Sequence, residues 1–319
     1  MILIASCSKD MGTLGPVLEV LKKHKAKVVT YFADDVAQGK VAMSYNLSLN
    51  GTASFMYDGK HFKSSDVQRA WYRRPNFFSV AEPDNVKLLY LDGQRKDTQT
   101  HMWRSIPNER WLNAPDAIKQ TNDKCLQMKL AHDQGMVIPN TVISNNWDEI
   151  FDLLKTDEVI LKMPYGILYE EDGSKFLAST IVKRSERSKL ARTNPFPGLW
   201  QEYVPKKREW RVTVVGERVF AVVIYTKHES RDDWRKHQFK SGLVEFKKGS
   251  LPEEVAQQCI KVVCNMGLRY GAIDLIEKPS GEFVFLEVNA NGQYQWLVDE
   301  LSLEVPEAIA DELLRVISA

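Results

Sequence analysis

Apolar residues run almost unbroken from Met1 to Cys7, the signature of a fully buried strand. After the Ser8–Thr13 turn the spacing becomes helical, with Val17, Leu18, Val20 and Leu21 on one face between Gly15 and His24. Ala26 to Phe32 is strand-like again. Strand, helix, strand with short links predicts a βαβ unit and a parallel sheet. Short strands are expected from Ala42 to Phe62, with turns at Asn50-Gly51 and Asp58-Gly59. At Ala70–Pro75 an apolar strand runs straight into Arg73, Arg74 and Pro75, and the proline favours an extended residue before it. Val86 to Trp103 reads as a helix, and Trp111–Pro115 as a strand and a stop.

A second unit opens at about residue 115. Thr121 or Asn122 is expected to cap a helix running to about Gln134, with Gly135 just beyond its end. An extended MVIPNTVIS stretch leads to a helix over Asn146 to Leu154. Val159 to Pro164 is a buried strand carrying Lys162; Tyr165 to Lys175 reads as a glycine-containing lid loop before more β-structure at Phe176 to Val182. From about Pro197 the alternation in REWRVTVVGERVFAVVIYT predicts two or three antiparallel strands turning at Gly216. Glu253 to Met266 is an amphipathic helix and Pro306 to Ile317 a terminal one. The pattern divides the chain into 1–114, 115–198 and 199–319, a mixed α/β (α+β) protein without internal repeats.

Composition narrows this picture. A chain of 319 residues with 44% hydrophobic and 27% charged residues has room for two or three ordinary domains. A net charge of +1 provides no one-signed field for nucleic acid or a membrane surface. No stretch approaches the roughly 18 apolar residues of a membrane span. The N-terminus lacks a basic segment and a long apolar run, so no signal peptide is expected there. Cys7, Cys125, Cys259 and Cys264 form no CxxC pair and read as buried thiols of a reducing, cytoplasmic compartment.

The candidate chemistry lies near the C-terminus, in GAIDLI followed by EFVFLEVNANGQ. Glu287 and Asn289 are two apart, so a strand points both to one face. Asp274 lies on the preceding run, and Lys278–Gly281 is a good turn between them. Paired as a hairpin, the three residues bring two carboxylates and an amide oxygen together, a donor set that suits Mg²⁺. Upstream come Lys124 at a helix start, Lys162 before the lid, Gln201–Val204 at a unit junction, and Arg211. Two ammonium groups, a lid, a backbone edge and a carboxylate cluster are what a nucleoside triphosphate needs.

The stretches NDKCLQMKLAHDQGMVIPNT, VILKMPYG, LWQEYVP, EWRVTVVG, GAIDLI and FLEVNANGQ, taken in this order, resemble the ATP-grasp ligases over about Asp116 to Val298. The first unit resembles that family's N-terminal pre-ATP-grasp domain. The resemblance implies an ATP-grasp fold: two α+β subdomains that clamp ATP and Mg²⁺, with two ions expected. It implies phosphate contacts from Lys124 and Lys162. It further implies adenine contacts from the backbone of Glu202 and Val204 around Tyr203, and a ribose contact from Glu209. Asp274, Glu287 and Asn289 become the metal ligands. Arg211, with Arg235, would steady the transferred phosphoryl or acyl phosphate. The lid sequence PYGILYEEDGSK is more acidic and poorer in glycine than is usual in that family.

Three further stretches, WYRRP at Trp71–Pro75, DWR at Asp233–Arg235 and VNANGQYQWL at Val288–Leu297, resemble the microviridin- or graspetide-type peptide maturases. That resemblance implies a ribosomal precursor peptide with a leader and an acidic core as partner, and a homodimer. Arg73, Arg74, Arg184 and Asn291 are its candidate substrate contacts, alongside the basic Lys206–Arg208 run. A domain-interface role for WYRRP, with its arginines bridging to acids, stands beside the substrate role. The implied reaction activates a side-chain carboxylate as an acyl phosphate, which a hydroxyl or amine then displaces to close an ester or amide. Preorganised charge of this kind contributes about 2.7–4 kcal/mol per donor in the best measured cases. No motif marks a covalent nucleophile; His228 and His237 are the best candidates for a base. The alternative is a ligase that joins amino acids or extends a glutamate tail, with the same nucleotide site.

Overall fold

The computed structural model describes residues 1–46, 51–57, 59–75, 85–162, 168–169, 176–177, 179–186, 197–226 and 242–316. Most of the lid loop, Arg187, His228, Asp233–Arg235, His237, Asn50 and Asp58 lie outside the described residues.

The buried run at the N-terminus is β1 (Ile2–Ser6), the centre of a parallel sheet between β2 (Val28–Phe32) and β6 (Arg69–Tyr72). Helix α1 (Met11–Lys23) links β1 to β2 and buries Leu14, Val17 and Leu21; it starts four residues earlier than the apolar spacing predicts. The short helix α2 (Ala33–Ala37) leads to the antiparallel meander β3 (Val41–Asn46), β4 (Thr52–Tyr57) and β5 (Lys60–Lys63). Helix α3 (Val86–Trp103) matches its predicted bounds but turns polar groups inward. Asp92 and Gln99 are buried and joined by Arg95, while Val86, Leu89 and Tyr90 are exposed. Trp111 forms a single parallel bridge to Ala70, not a strand.

Helices α4 (Pro115–Gln120) and α5 (Lys124–Asp133) replace the single predicted helix start. Thr121 ends α4, its hydroxyl donating back to Ala117 and Ile118 carbonyls. Asp123 instead caps α5, accepting from the Cys125 and Leu126 amides at 2.9 and 3.0 Å. The next sheet has the order β11-β8-β12-β7, formed by β7 (Thr141–Ser144), β8 (Glu158–Lys162), β11 (Thr180–Lys183) and β12 (Gly198–Glu202). A small hairpin, β9 (Leu168–Tyr169) with β10 (Phe176–Leu177), precedes β11. Helix α6 (Trp147–Leu154) covers one face of the sheet, packing Ile150, Phe151 and Leu154 on Val159, Val182 and Trp200. By alternation Lys162 projects from the other face.

The last sheet is antiparallel, in the order β15-β14-β13-β16-β17. Its strands are β13 (Arg208–Val215), β14 (Arg218–Thr226), β15 (Val244–Gly249), β16 (Tyr270–Glu277) and β17 (Phe283–Asn289). One face carries Trp210, Val212, Val214, Ile273, Leu275, Phe285 and Val288 against α5 and α7 (Glu253–Asn265). Each fully buried aliphatic side chain there contributes about 1.5–3 kcal/mol. On the opposite face Val215, Val222 and Tyr270 share a core with β1, α1, α8 (Gln295–Leu301) and α9 (Val305–Leu314). The first unit therefore covers one end of that face. Cys7 and Cys259 are buried but Cys125 and Cys264 are exposed, and all four are free; burial pushes the Cys259 thiol up to about 12.

On the α7 side, Glu277 is buried at the end of β16. Burial alone would raise its pKa, but Lys207, Trp210 Nε1 and Arg208 outweigh burial and hold the carboxyl below its ordinary value of 4.5. A depressed carboxylate contributes stability above the unfolded pKa and loses it as pH falls through the folded one. Urea unfolding between pH 3 and 7 is therefore expected to show an acid limb below about pH 4.5 that Glu277→Gln makes shallower.

Candidate functional site

The residue rows of the last sheet build the site. Arg211 lies opposite Asp274, and Asp274 opposite Glu287, so three charged side chains share one row and one face. The row before it is Glu209, Ile276 and Val284; the row after is Thr213, Ala272 and Asn289. A β-bulge between Asp274 and Leu275 makes this possible. It leaves Leu286 as the extra residue, so Phe285 and Val288 both reach the α7-side core while Leu286 and Glu287 both face the cleft. The hairpin turn is closed by Lys278 N donating to Glu282 O at 2.9 Å, with Gly281 at φ +89°.

Helix α5 brings the ammonium group. Gln127, buried one turn after Lys124, pairs its amide with both backbone groups of Val288, each at 3.0 Å. That contact docks α5 on the outer edge of β17 and sets Lys124 Nζ 2.6 Å from Glu287 Oε2. Asn289 Nδ2 donates to Glu287 Oε1 at 3.1 Å. Arg211 Nη1 is 2.7 Å from Asp274 Oδ1, with both side chains largely buried. Arg211 Nε is also buried and has no hydrogen-bond partner among the described residues. The oxygens of Asp274, Glu287 and Asn289 are hard donors from adjacent strands, a set that fits Mg²⁺. Among the described residues no three His, Cys, Asp or Glu side chains form a metal cluster.

Beside the charged row lies an apolar floor of Val204, Ile276 and Val284, with Leu286 against it. The Glu202 amide donates to Asn140 O at 3.0 Å, and its carboxylate accepts from Asn140 N and Nδ2 at 3.1 and 3.0 Å. The Tyr203 amide donates to Glu158 O at 3.3 Å. Glu209 pairs with Lys206 Nζ at 2.6 Å. Lys162 ends β8, opposite Leu199.

Of the candidate substrate residues, the structure joins Arg73 to Asn291. Arg73 is 1% exposed, with every guanidinium nitrogen committed to Asp10 or to the Asn291–Gln293 turn. This is the bridging, interface position, not a surface one. Arg74 is half-buried and holds φ +51°, a left-handed conformation rare for a side chain of its size. Burial first, and then Arg73, lower its pKa. Arg184 bridges Asp152 and Asp157, each at 2.8 Å, beside Phe151. Asn291 presents its carbonyl to Arg73 at 2.8 Å. Asp10, Gln127 and Gln293 carry much of this geometry. Gln127 and Gln293 stand inside the quoted stretches NDKCLQMKLAHDQGMVIPNT and FLEVNANGQ without a role of their own, and Asp10 stands in none.

Gly292 is wedged between strands. A Cβ there would overlap the Ala272 Cβ and stand 3.0 Å from Arg211 Nη2. Gly292→Ala is expected to destabilise the protein by about 1–3 kcal/mol. It is also expected to lower kcat by displacing Arg211. Chemical denaturation and steady-state kinetics check the two effects.

A family model described as the RimK-like ATP-grasp domain matches residues 121–315, more than half of the chain. The chain belongs to the RimK-like ATP-grasp family. It is accordingly an ATP-dependent, ADP-forming ligase with the ATP-grasp fold. A probable alpha-L-glutamate ligase of Xanthomonas campestris pv. campestris is 24% identical over 212 residues, covering 64% of this chain and 69% of that protein. The chain spans between about half and three quarters of the length of curated relatives it matches. Among solved structures, a Chryseobacterium gregarium RiPP-associated ATP-grasp ligase in complex with ADP, a leader and a core peptide has a TM-score of 0.84. It is 27% identical and covers 98% of this chain and 96% of that one. The macrocyclase MdnC of Microcystis aeruginosa, bound with precursor peptide MdnA, has a TM-score of 0.82 at 23% identity and covers 98% and 99%, a likeness of fold. Among the described residues no helix is long and apolar enough to cross a membrane.

Proposed function

We propose that this ATP-grasp ligase closes ester or amide crosslinks within a ribosomal precursor peptide. The observation that carries the proposal is the reach of the structural likeness. The peptide-bound Chryseobacterium ligase matches 98% of the chain, first unit included, at a TM-score of 0.84 and 27% identity. Under this proposal the units 1–114, 115–198 and 199–319 divide the work: peptide, lid and metal side respectively.

The roles are those that the family resemblance implies. The apolar floor at Val204, Ile276 and Val284 takes the adenine, with backbone groups of Glu202 and Val204 at its edge and Tyr203 between them. Glu209, one row before the charges, takes the ribose. Lys124 and Lys162 take phosphate oxygens. Asp274, Glu287 and Asn289 would hold Mg²⁺, two ions by analogy with the family, which would supply charge neutralisation at the phosphates. An oxygen of the peptide carboxylate attacks the γ-phosphorus and the bond to ADP breaks, giving an acyl phosphate. Arg211 and Arg235 offset the repulsion between the two anions. A Ser/Thr hydroxyl or Lys amine then attacks the acyl carbon, loses its proton and expels phosphate. Arg74 and Asn291 face the peptide acids. The peptide's leader docks on an edge or groove of the antiparallel strands of the third unit.

Mass spectrometry of a candidate acidic precursor co-expressed with the enzyme tests the proposal. Loss of one water per crosslink is the expected result. The second reading, amino-acid or glutamate-tail ligation, is favoured by the glutamate-ligase relatives. It predicts a mass gain on supplying isotopically labelled glutamate, and that gain without water loss would replace the first reading.

A further inference from the structure

We infer that Arg73 is a positioning residue that ties the first unit to the catalytic row; the inference rests on the ligase reading above. Arg73 follows β6 at the carboxyl edge of the parallel sheet and is 1% exposed. Its Nε pairs with Asp10 Oδ2 at 2.8 Å, and Asp10 is itself buried. Its Nη1 donates to the carbonyls of Asn291 at 2.8 Å and Gly292 at 3.2 Å, and its Nη2 to Gln293 Oε1 at 2.8 Å. Asp10 supplies the countercharge that a buried guanidinium requires. The other contacts all fall on three consecutive residues just beyond β17, two positions after Asn289.

That turn is held from the first unit at further points. Thr13 Oγ1 donates to Gln293 Oε1 at 2.9 Å, and Tyr294 Oη donates to Thr13 O at 2.7 Å. Tyr270 Oη donates to Gly292 O at 2.7 Å from β16. Its other side is the wall for Arg211. Gly292 presses on Arg211 Nη2 so closely that a Cβ would stand 3.0 Å from it. Gln293 O accepts from the same nitrogen at 3.4 Å. Two arginines, one from each unit, thus grip one turn from opposite sides. Arg73 sets where the turn lies, and the turn limits where Arg211 points, against Asp274. Only a planar fork with donors in several directions makes all four contacts, so lysine does not replace it.

The test uses full-length Arg73→Lys and Asp10→Asn enzymes. It takes three readouts: steady-state kinetics with the precursor that passes the mass-spectrometric test, binding of a fluorescent ADP analogue with Mg²⁺, and hydrogen exchange. Arg73→Lys is expected to lower kcat about 10–100-fold, the range found for groups that orient site ligands. The KM values for ATP and peptide and the affinity for the ADP analogue are expected to stay within about 2-fold. Exchange in fragments spanning 289–294 is expected to accelerate about 10-fold or more, with β13 protected as before. Asp10→Asn is expected to shift the same readouts in the same direction by a smaller amount. An unchanged kcat in a folded Arg73→Lys enzyme overturns the inference. So does a raised peptide KM with kcat intact, which makes Arg73 a substrate contact, and so does a uniform rise in exchange, which makes it structural only. A wild-type enzyme that forms no ADP with any precursor overturns the peptide-crosslinking reading instead; local exchange at 289–294 then decides whether Arg73 holds the turn.

Discussion

Glu287→Gln is expected to form ADP about 10²–10³-fold more slowly than the wild-type enzyme while unfolding at nearly the same temperature. The substitution keeps the shape of the side chain and an oxygen that accepts from Lys124, now 2.6 Å away. The amide nitrogen that replaces Oε1 no longer accepts from Asn289 Nδ2, and a flip of the Asn289 amide, which presents Oδ1 instead, restores that contact. What it removes is one full negative charge from the row Arg211, Asp274, Glu287. A divalent cation held by hard oxygens loses most from that change, because an amide oxygen carries only a partial charge. The fold loses little, since Glu287 is partly exposed and the glutamine remains hydrogen-bonded. A coupled assay for ADP and a thermal melt measure the two halves. Activity within a few-fold of wild type would take Glu287 out of the chemistry.

Arg211 carries the second large effect. Arg211→Lys is expected to reduce kcat by about 10²–10³-fold, with KM for ATP little changed, because the developing charge is then met by a point charge with no fork. In the present geometry Nη1 serves Asp274 at 2.7 Å and Nη2 reaches Gln293 O at 3.4 Å, while buried Nε has no partner among the described residues. A lysine ammonium serves Asp274 but not the others. Arg211→Met should be worse in a different way. It strands the largely buried Asp274 carboxylate without its partner, which lowers stability by up to about 3–5 kcal/mol. Denaturant unfolding separates the pair: Lys is expected to hold stability and lose rate, Met to lose both. Equal loss of stability in the two would mean that Arg211 serves the fold alone.

The acidic hairpin is legible in the amino-acid sequence because its information is local. Asp274, Glu287 and Asn289 lie within sixteen residues, joined by a four-residue turn, and strand alternation fixes which side chains share a face. The bulge at Asp274/Leu275 is not legible there. A bulge changes the partner count by one residue, and the string FVFLEVN reads equally well with or without it. The first strand and the βαβ start are equally open to periodicity. The start of α5 is not, because Thr121, Asn122 and Asp123 are all good caps. Only the preceding helix, which takes Thr121 as its own end, decides among them.

Arg73 marks the limit of what the sequence reveals most sharply. WYRRP announces two arginines beyond an apolar strand, but it does not say which side each one faces. Asp10 is 63 residues away and the Asn291–Gln293 turn lies near the other end of the chain, and neither pattern points to the other. Amino-acid order by itself determined the strands, their alternation and the types of chemical group available to a nucleotide and a metal. Those properties depend on neighbours a few positions apart. Tertiary packing alone decided that Lys124 meets Glu287, that Arg211 meets Asp274, and that Arg73 turns inward. Such pairings join residues far apart in the chain, and for buried Arg73 and Arg211 an unpaired charge would be too costly to leave.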